Sequence, residues 1–105
     1  MAMDLEKLRK LVSLDPGDPL SRFALGRKLA EIGQQREAAE HLRFANSAAP
    51  EHLATYRVLA EVLIALGQRD EARTVLVVGI EKVRGVGEGM GRDLGPVMQE
   101  MLEKL

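Results

Sequence analysis

Ile32-Gly33-Gln34-Gln35-Arg36-Glu37-Ala38 recurs 34 residues later as Leu66-Gly67-Gln68-Arg69-Asp70-Glu71-Ala72. A recurrence at a fixed period of this size marks stacked supersecondary units, each burying its apolar face against the next. The register extends outward on both sides of the shared stretch. Leu25 meets Leu59, Gly26 meets Ala60 and Leu29 meets Leu63; beyond the glycine, Leu42 meets Leu76 and Ala45 meets Gly79. One step further back, Pro50 meets Pro16 and Leu42 meets Leu8. The repeating unit is therefore two helical patterns joined at a glycine.

Taken in order, residues 3–14 place Leu5, Leu8, Leu11 and Val12 on one face, with Glu6, Lys7, Arg9 and Lys10 largely opposite. That spacing predicts an amphipathic helix. Pro16 and Gly17 end it, because proline cannot continue the hydrogen-bond ladder. Asp18-Pro19 restarts a helix, with aspartate as the cap and proline at the first helical position. This helix is expected to reach Ile32 and to bury Leu25, Leu29 and Ile32. Gly33 suits a left-handed helix end. The following helix, 35–48, turns Ala38, Leu42 and Ala45 inward, small residues that let antiparallel helices approach closely.

The second copy predicts helices over 52–66, burying Tyr56, Leu59 and Leu63, and over 70–84, burying Ala72, Leu76, Gly79, Ile80 and Val83. The glycine-rich run 85–91 reads as a flexible joint. Asp93 or Gly95 then caps a last helix to Leu105, with Pro96 in its first turn. Leu94, Val97, Met98, Met101, Leu102 and Leu105 form its apolar stripe. A terminal unit of this kind covers the flank of a repeat array.

These residues resemble the tetratricopeptide repeat (TPR) family, in the manner of small bacterial-type members. The 34-residue period fits, as do Tyr56…Leu59-Ala60 with its earlier copy Leu25-Gly26. So do the turns Gly33…Ala38 and Gly67…Ala72, and the closing Ala45…Pro50. Two departures stand out. Arg22 occupies the family's aromatic position, with Phe23 displaced by one, and Arg84 replaces the closing proline. The resemblance implies an all-α, TPR-type helical solenoid of antiparallel helix pairs in a right-handed stack, with a C-terminal capping helix. Its organisation would be one TPR-like domain over 1–105. A half-repeat helix (3–16) precedes repeat one (19–52) and repeat two (53–86), and the joint and capping helix follow (87–105).

Composition bounds the function. At 105 residues the chain has the size of one domain. Its formal charge of −1 makes no electrostatic case for nucleic acid, whose binding needs a clustered basic surface. With no cysteine there is no disulfide and no thiolate metal site or nucleophile. The longest apolar run, Val62-Leu63-Ile64-Ala65-Leu66, is far short of a membrane span. Charge close to Met1 argues against a secretory signal, and the expected location is cytoplasmic. Only 3% of residues are aromatic, so the core must be aliphatic.

Three chemical readings fail on spacing. Val75-Leu76-Val77-Val78 followed by glycines mimics a strand and a nucleotide-binding loop, yet no glycine or alanine completes the pattern and no lysine follows. The repeat register assigns 75–78 to a helix instead. Glu37 and His41 stand one turn apart, a metal-like spacing, but no second pair converges on them, and a surface or interhelical histidine is the plainer reading. No serine or threonine has a histidine and acid in support, and neither cofactor nor catalysis is expected. Met3, Met90, Met98 and Met101 together invite a reading as an adaptable binding surface, but Met98 and Met101 stand at helical spacing and read as core, where methionine fills gaps.

What remains is a surface. The resemblance implies that the first helices of successive repeats line a concave groove holding a peptide or partner segment. Phe23, Arg27, Ala30 and Glu31 would face it from repeat one, and Arg57, Glu61 and Ile64 from repeat two. Family members that clamp a chaperone's C-terminal carboxylate use lysines and asparagines in this region. Phe23, Arg27 and Val58 stand there instead, which argues against that ligand. Phe23 is an aromatic anchor in one reading and a replacement for the missing aromatic at Arg22 in the other. A non-catalytic adaptor or scaffold with a protein or peptide partner is thus expected. The alternative is a homo-oligomeric structural protein, since about three repeats are usually needed for stability.

Overall fold

A computed structural model describes residues 4–86 and 93–105, which are helical apart from short turns. The chain divides into two compact units, Met1–Pro50 and Glu51–Leu105. The first holds α1 (Leu5–Leu14), α2 (Pro19–Glu31) and α3 (Gln35–Ala48); the second holds α4 (Leu53–Ala65), α5 (Arg69–Val86) and α6 (Leu94–Glu103).

In the first unit, the Asp4 carboxylate accepts the Lys7 amide and caps α1, which buries Leu8 and Val12. Leu5 is half-buried, and Leu11 lies at the exposed margin of the stripe. Asp18 caps α2 as expected, accepting from the amides of Leu20 and Ser21 and from the Ser21 hydroxyl at 2.6 Å. Pro19 opens the helix. Leu25 and Leu29 are buried against α3, where Ala38, Ala39, Leu42 and Ala45 form the facing surface. Gly26 makes this contact possible: a Cβ there would stand 2.7 Å from Leu42 Cγ.

Ile32 departs from its expected burial and is 48% exposed. The helix ends at Glu31, and the turn swings Ile32 outward. That turn is a Schellman closure, in which the Gln34 amide returns to Leu29 O (2.8 Å) and the Gly33 amide to Ala30 O (3.1 Å). The same pattern recurs after α4, from Gln68 to Leu63 O and from Gly67 to Ile64 O. Both glycines have positive φ, +86° and +78°, where a Cβ would be strained.

In the second unit, α4 is buried over most of its circumference. Besides Tyr56, Leu59 and Leu63, it buries Leu53, Thr55, Val58, Ala60 and Val62. The buried Thr55 hydroxyl lies 2.7 Å from His52 Nδ1. Helix α5 buries Ala72, Leu76, Gly79 and Ile80, with Val83 half-buried, and it runs two residues beyond the expected end at Arg84. Glycine lowers helix propensity by only about 1 kcal/mol, so Gly85 weakens the last turn without stopping it. Gly85 and Val86, expected in the joint or at its edge, are helical; the rest of that run, with Met90, lies outside the described residues, as does Met3.

Helix α6 packs on α5 and, to a lesser extent, α4. Met98 is fully buried in a cluster with Tyr56, Ala60, Leu76 and Ile80, to which Leu94, Met101, Leu102 and Leu105 add half-buried surface. Val97 leaves the stripe and is 42% exposed. Asp93 occupies the capping position, its carbonyl accepting the Val97 amide at 3.4 Å while its side chain makes no capping bond, and Gly95 lies inside the helix. Arg69 Nη2 donates to the Leu105 carbonyl at 3.0 Å, fastening the segment after α6 to the start of α5.

Candidate interaction surface

The side chains expected to meet a partner fall on the first helix of each repeat, three on α2 and three on α4. Phe23, Arg27 and Glu31 recur at four-residue intervals and share one face of α2. Phe23 is half-buried, while the Arg27 and Glu31 side chains are 60% and 55% exposed. Arg27 Nε stands 3.7 Å from Glu31 Oε1, and Lys28 Nζ stands 4.0 Å from Glu31 Oε2. On α4, Arg57, Glu61 and Ile64 share a face in the same way. Arg57 Nη1 donates to Glu61 Oε1, and Ile64 is 37% exposed. Each face thus carries an arginine already matched by a glutamate one turn on. Solvated pairs of this kind contribute only about 0.3–0.5 kcal/mol, so either charge can be redirected at small cost. Val58 does not face solvent: it is buried.

A second constellation, in the first unit, was only partly visible in the sequence. Arg22, at the position where the family carries an aromatic, donates from Nε to the Pro16 carbonyl (2.8 Å) and from Nη1 to His41 Nδ1 (3.3 Å). Its guanidinium lies over the Phe44 ring, 4.3 Å from the centroid. Arginine is always a donor, so Nδ1 of the neutral imidazole accepts and Nε2 carries the proton. Nε2 faces Glu37 Oε2 at 3.5 Å.

Glu37 in turn receives both terminal nitrogens of Arg9, one of them at 2.9 Å. The Arg9 hydrogen bonds hold the Glu37 carboxyl below its ordinary range against an upward push from partial burial, with smaller help from Arg9's charge and from His41. The same contact raises the Arg9 guanidinium further. The Glu37–His41 spacing therefore serves an interhelical network between α1, α2 and α3. Among the described residues, no group of three His, Asp or Glu side chains is placed to hold a metal ion.

The missed signal was Phe44, one of only two phenylalanines, two turns after Glu37 on α3. A shallow depression of about 600 Å³ also runs along α1 beside Lys7, Arg9 and Lys10. No helix among the described residues is long and apolar enough to cross a membrane.

Comparison with known proteins agrees with this architecture. The sequence profile described as Tetratricopeptide repeat matches residues 29–85, more than half of the chain. The chain belongs to the tetratricopeptide repeat family, whose members generally mediate protein–protein interaction and are typically non-catalytic. No match is found among curated protein sequences. Among solved structures, the crystal structure of MamA is similar, with a TM-score of 0.68 at 21% sequence identity. The match covers 95% of this chain and 63% of MamA, so this chain spans less than two thirds of that protein. At that identity the likeness concerns the fold, an all-α helical repeat.

Proposed function

We propose that this chain is a non-catalytic, cytoplasmic adaptor that binds a peptide or partner segment on the exposed faces of its two first helices. Phe23, Arg27 and Glu31 present one such face on α2, and Arg57, Glu61 and Ile64 present one on α4. The observation that supports this reading is the solvent-exposed Arg–Glu pair on each helix, Arg27 with Glu31 and Arg57 with Glu61. Arginine beside an apolar side chain is a common composition for binding anchors. Phe23 and Ile64 supply the apolar component.

The test is affinity capture with the native chain beside a Phe23→Ser/Arg57→Glu variant whose melting temperature is first shown to be unchanged. A partner held by the native chain and released by the variant supports the reading. A partner retained equally by both refutes it, because neither helix face would then carry the contact.

A further inference from the structure

Within the first unit, His41 stands between a cation from α2 and a carboxylate on its own helix. Arg22 Nη1 can only donate, so its 3.3 Å contact requires an unprotonated Nδ1. The opposite ring nitrogen carries the proton and faces Glu37 Oε2 at 3.5 Å, long for a hydrogen bond. We propose that His41 is a proton-operated latch. The neutral ring ties α2 to α3 through Arg22; the protonated ring lets Arg22 go and pairs with Glu37.

A proton taken from solvent onto Nδ1 turns that nitrogen from acceptor into donor. It then opposes the guanidinium twice, donor against donor and cation against cation. The His41 side chain is only 14% exposed, so water screens little of that repulsion. Nε2–H now belongs to a cation facing a carboxylate, and such charge-assisted bonds are short and strong.

The neighbouring charges decide which tie is lost. From α2, Arg22 faces the ring directly; on α3, Glu37 faces it from one turn before. From α1, Arg9 reaches it only through Glu37, donating Nη1 to Oε2 and Nη2 to Oε1. A carboxylate can accept from both partners, so the α1–α3 tie holds while the α2–α3 hydrogen bond breaks. Arg22 keeps the Pro16 carbonyl and the Phe44 ring, which confines the change to the start of α2. In the second repeat the positions of Arg22, His41 and Phe44 hold Tyr56, Val75 and Val78, none of which gains a proton. The latch belongs to the first repeat.

Nuclear magnetic resonance on the full, nitrogen-labelled chain tests this between about pH 8.5 and about pH 5, above the range where carboxylates protonate. A His52→Gln variant assigns the two imidazoles. Neutral His41 should carry its proton on Nε2. As the ring becomes protonated, the Arg22 side-chain signals should shift in step with it. Amide exchange at Arg22 and Phe23, corrected for its intrinsic pH dependence, should rise about three- to tenfold, the weight of one net hydrogen bond. His41→Gln, with its melting temperature checked, should abolish both responses. Neutral His41 with its proton on Nδ1 overturns the proposal, as does a ring still neutral at about pH 5. So do Arg22 signals that ignore the ring's protonation, or a response that persists in His41→Gln.

Discussion

The guanidinium of Arg22 and the ring of Phe44 stack at 4.3 Å, joining α2 to α3 at the position where the family carries an aromatic on the first helix. A cation here lies on an aromatic supplied by the neighbouring helix. The same guanidinium closes the α1–α2 turn through the Pro16 carbonyl.

Arg22→Ala should therefore destabilise the chain by about 1–2 kcal/mol, the sum of a cation–π contact and a net hydrogen bond. Arg22→Lys should recover only part of this, because an ammonium lacks the planar fork that reaches Pro16 and Phe44 together. Urea denaturation of Arg22→Ala, Phe44→Leu and the double variant should give a coupling of about 0.5–1 kcal/mol. Strict additivity would show that the stack contributes nothing.

The two close-approach glycines should respond differently to alanine. At Gly79 a Cβ would stand 2.7 Å from Tyr56 Cβ and 2.9 Å from the buried Met98 sulfur, and Tyr56 Cβ can move only with its backbone. At Gly26 the nearest atom belongs to the Leu42 side chain, which has more freedom to shift. Overpacking costs about 1–3 kcal/mol, and alanine returns about 1 kcal/mol of helix propensity. Gly79→Ala should lower stability by about 1–2 kcal/mol and Gly26→Ala by less, though not to zero, because the Cγ of the buried Leu42 must move to admit the Cβ. Tyr56, the single tyrosine in a chain without tryptophan, reports the unfolding by fluorescence.

Gly33→Ala and Gly67→Ala should each cost about 1–2 kcal/mol, because a side chain with φ near +80° crowds its own carbonyl. Asparagine at either position should cost less, since it enters the left-handed region more readily. Thermal melts of the four variants decide the matter. Equal melting temperatures for alanine and asparagine would point away from backbone strain.

Acid should loosen the first unit through Glu37 and Asp18. The Arg9 hydrogen bonds hold Glu37 low, and the Ser21 hydroxyl holds Asp18 low. A carboxyl depressed in the folded state contributes stability that is fully present above its unfolded pKa and is lost as pH falls through the folded value. The loss should begin near pH 4 and grow below it. Melting temperature followed from pH 7 to pH 2.5 should show the native chain converging on Glu37→Gln as the pH drops. A constant gap between the two would exclude the Glu37 contribution.

The period, the helix–glycine–helix unit and the facing residues Ala38, Leu42 and Ala45 were all legible in the chain, because each depends on interactions a few residues long. A Schellman closure spans six residues, so Gly33 and Gly67 announce it locally. The α2 cap, Asp18, acts within three residues of itself; Asp4 caps α1 by the same local contact, although the periodicity alone starts that helix at residue 3. Ile32 and Val97 were misplaced because periodicity gives the direction of a side chain only while the helix lasts, and leaves the width of the covered stripe open. For the candidate surface, the chain fixes which residues share a helix face; their pairing one turn apart, Arg27 with Glu31 and Arg57 with Glu61, follows from that spacing.

The sequence alone determined a helical repeat of the tetratricopeptide type, its turns and most of its core, since those rest on backbone propensity and helical periodicity. Tertiary structure decided the network of Arg9, Glu37, His41, Arg22 and Phe44 and the seat of Met98 beneath Gly79 and Tyr56. Arg9 and Glu37 are 28 residues apart, and Arg22 and His41 are 19 apart. Side chains that distant meet only after the helices have packed, and the packing geometry, more than any local preference, selects which of many charged residues become partners.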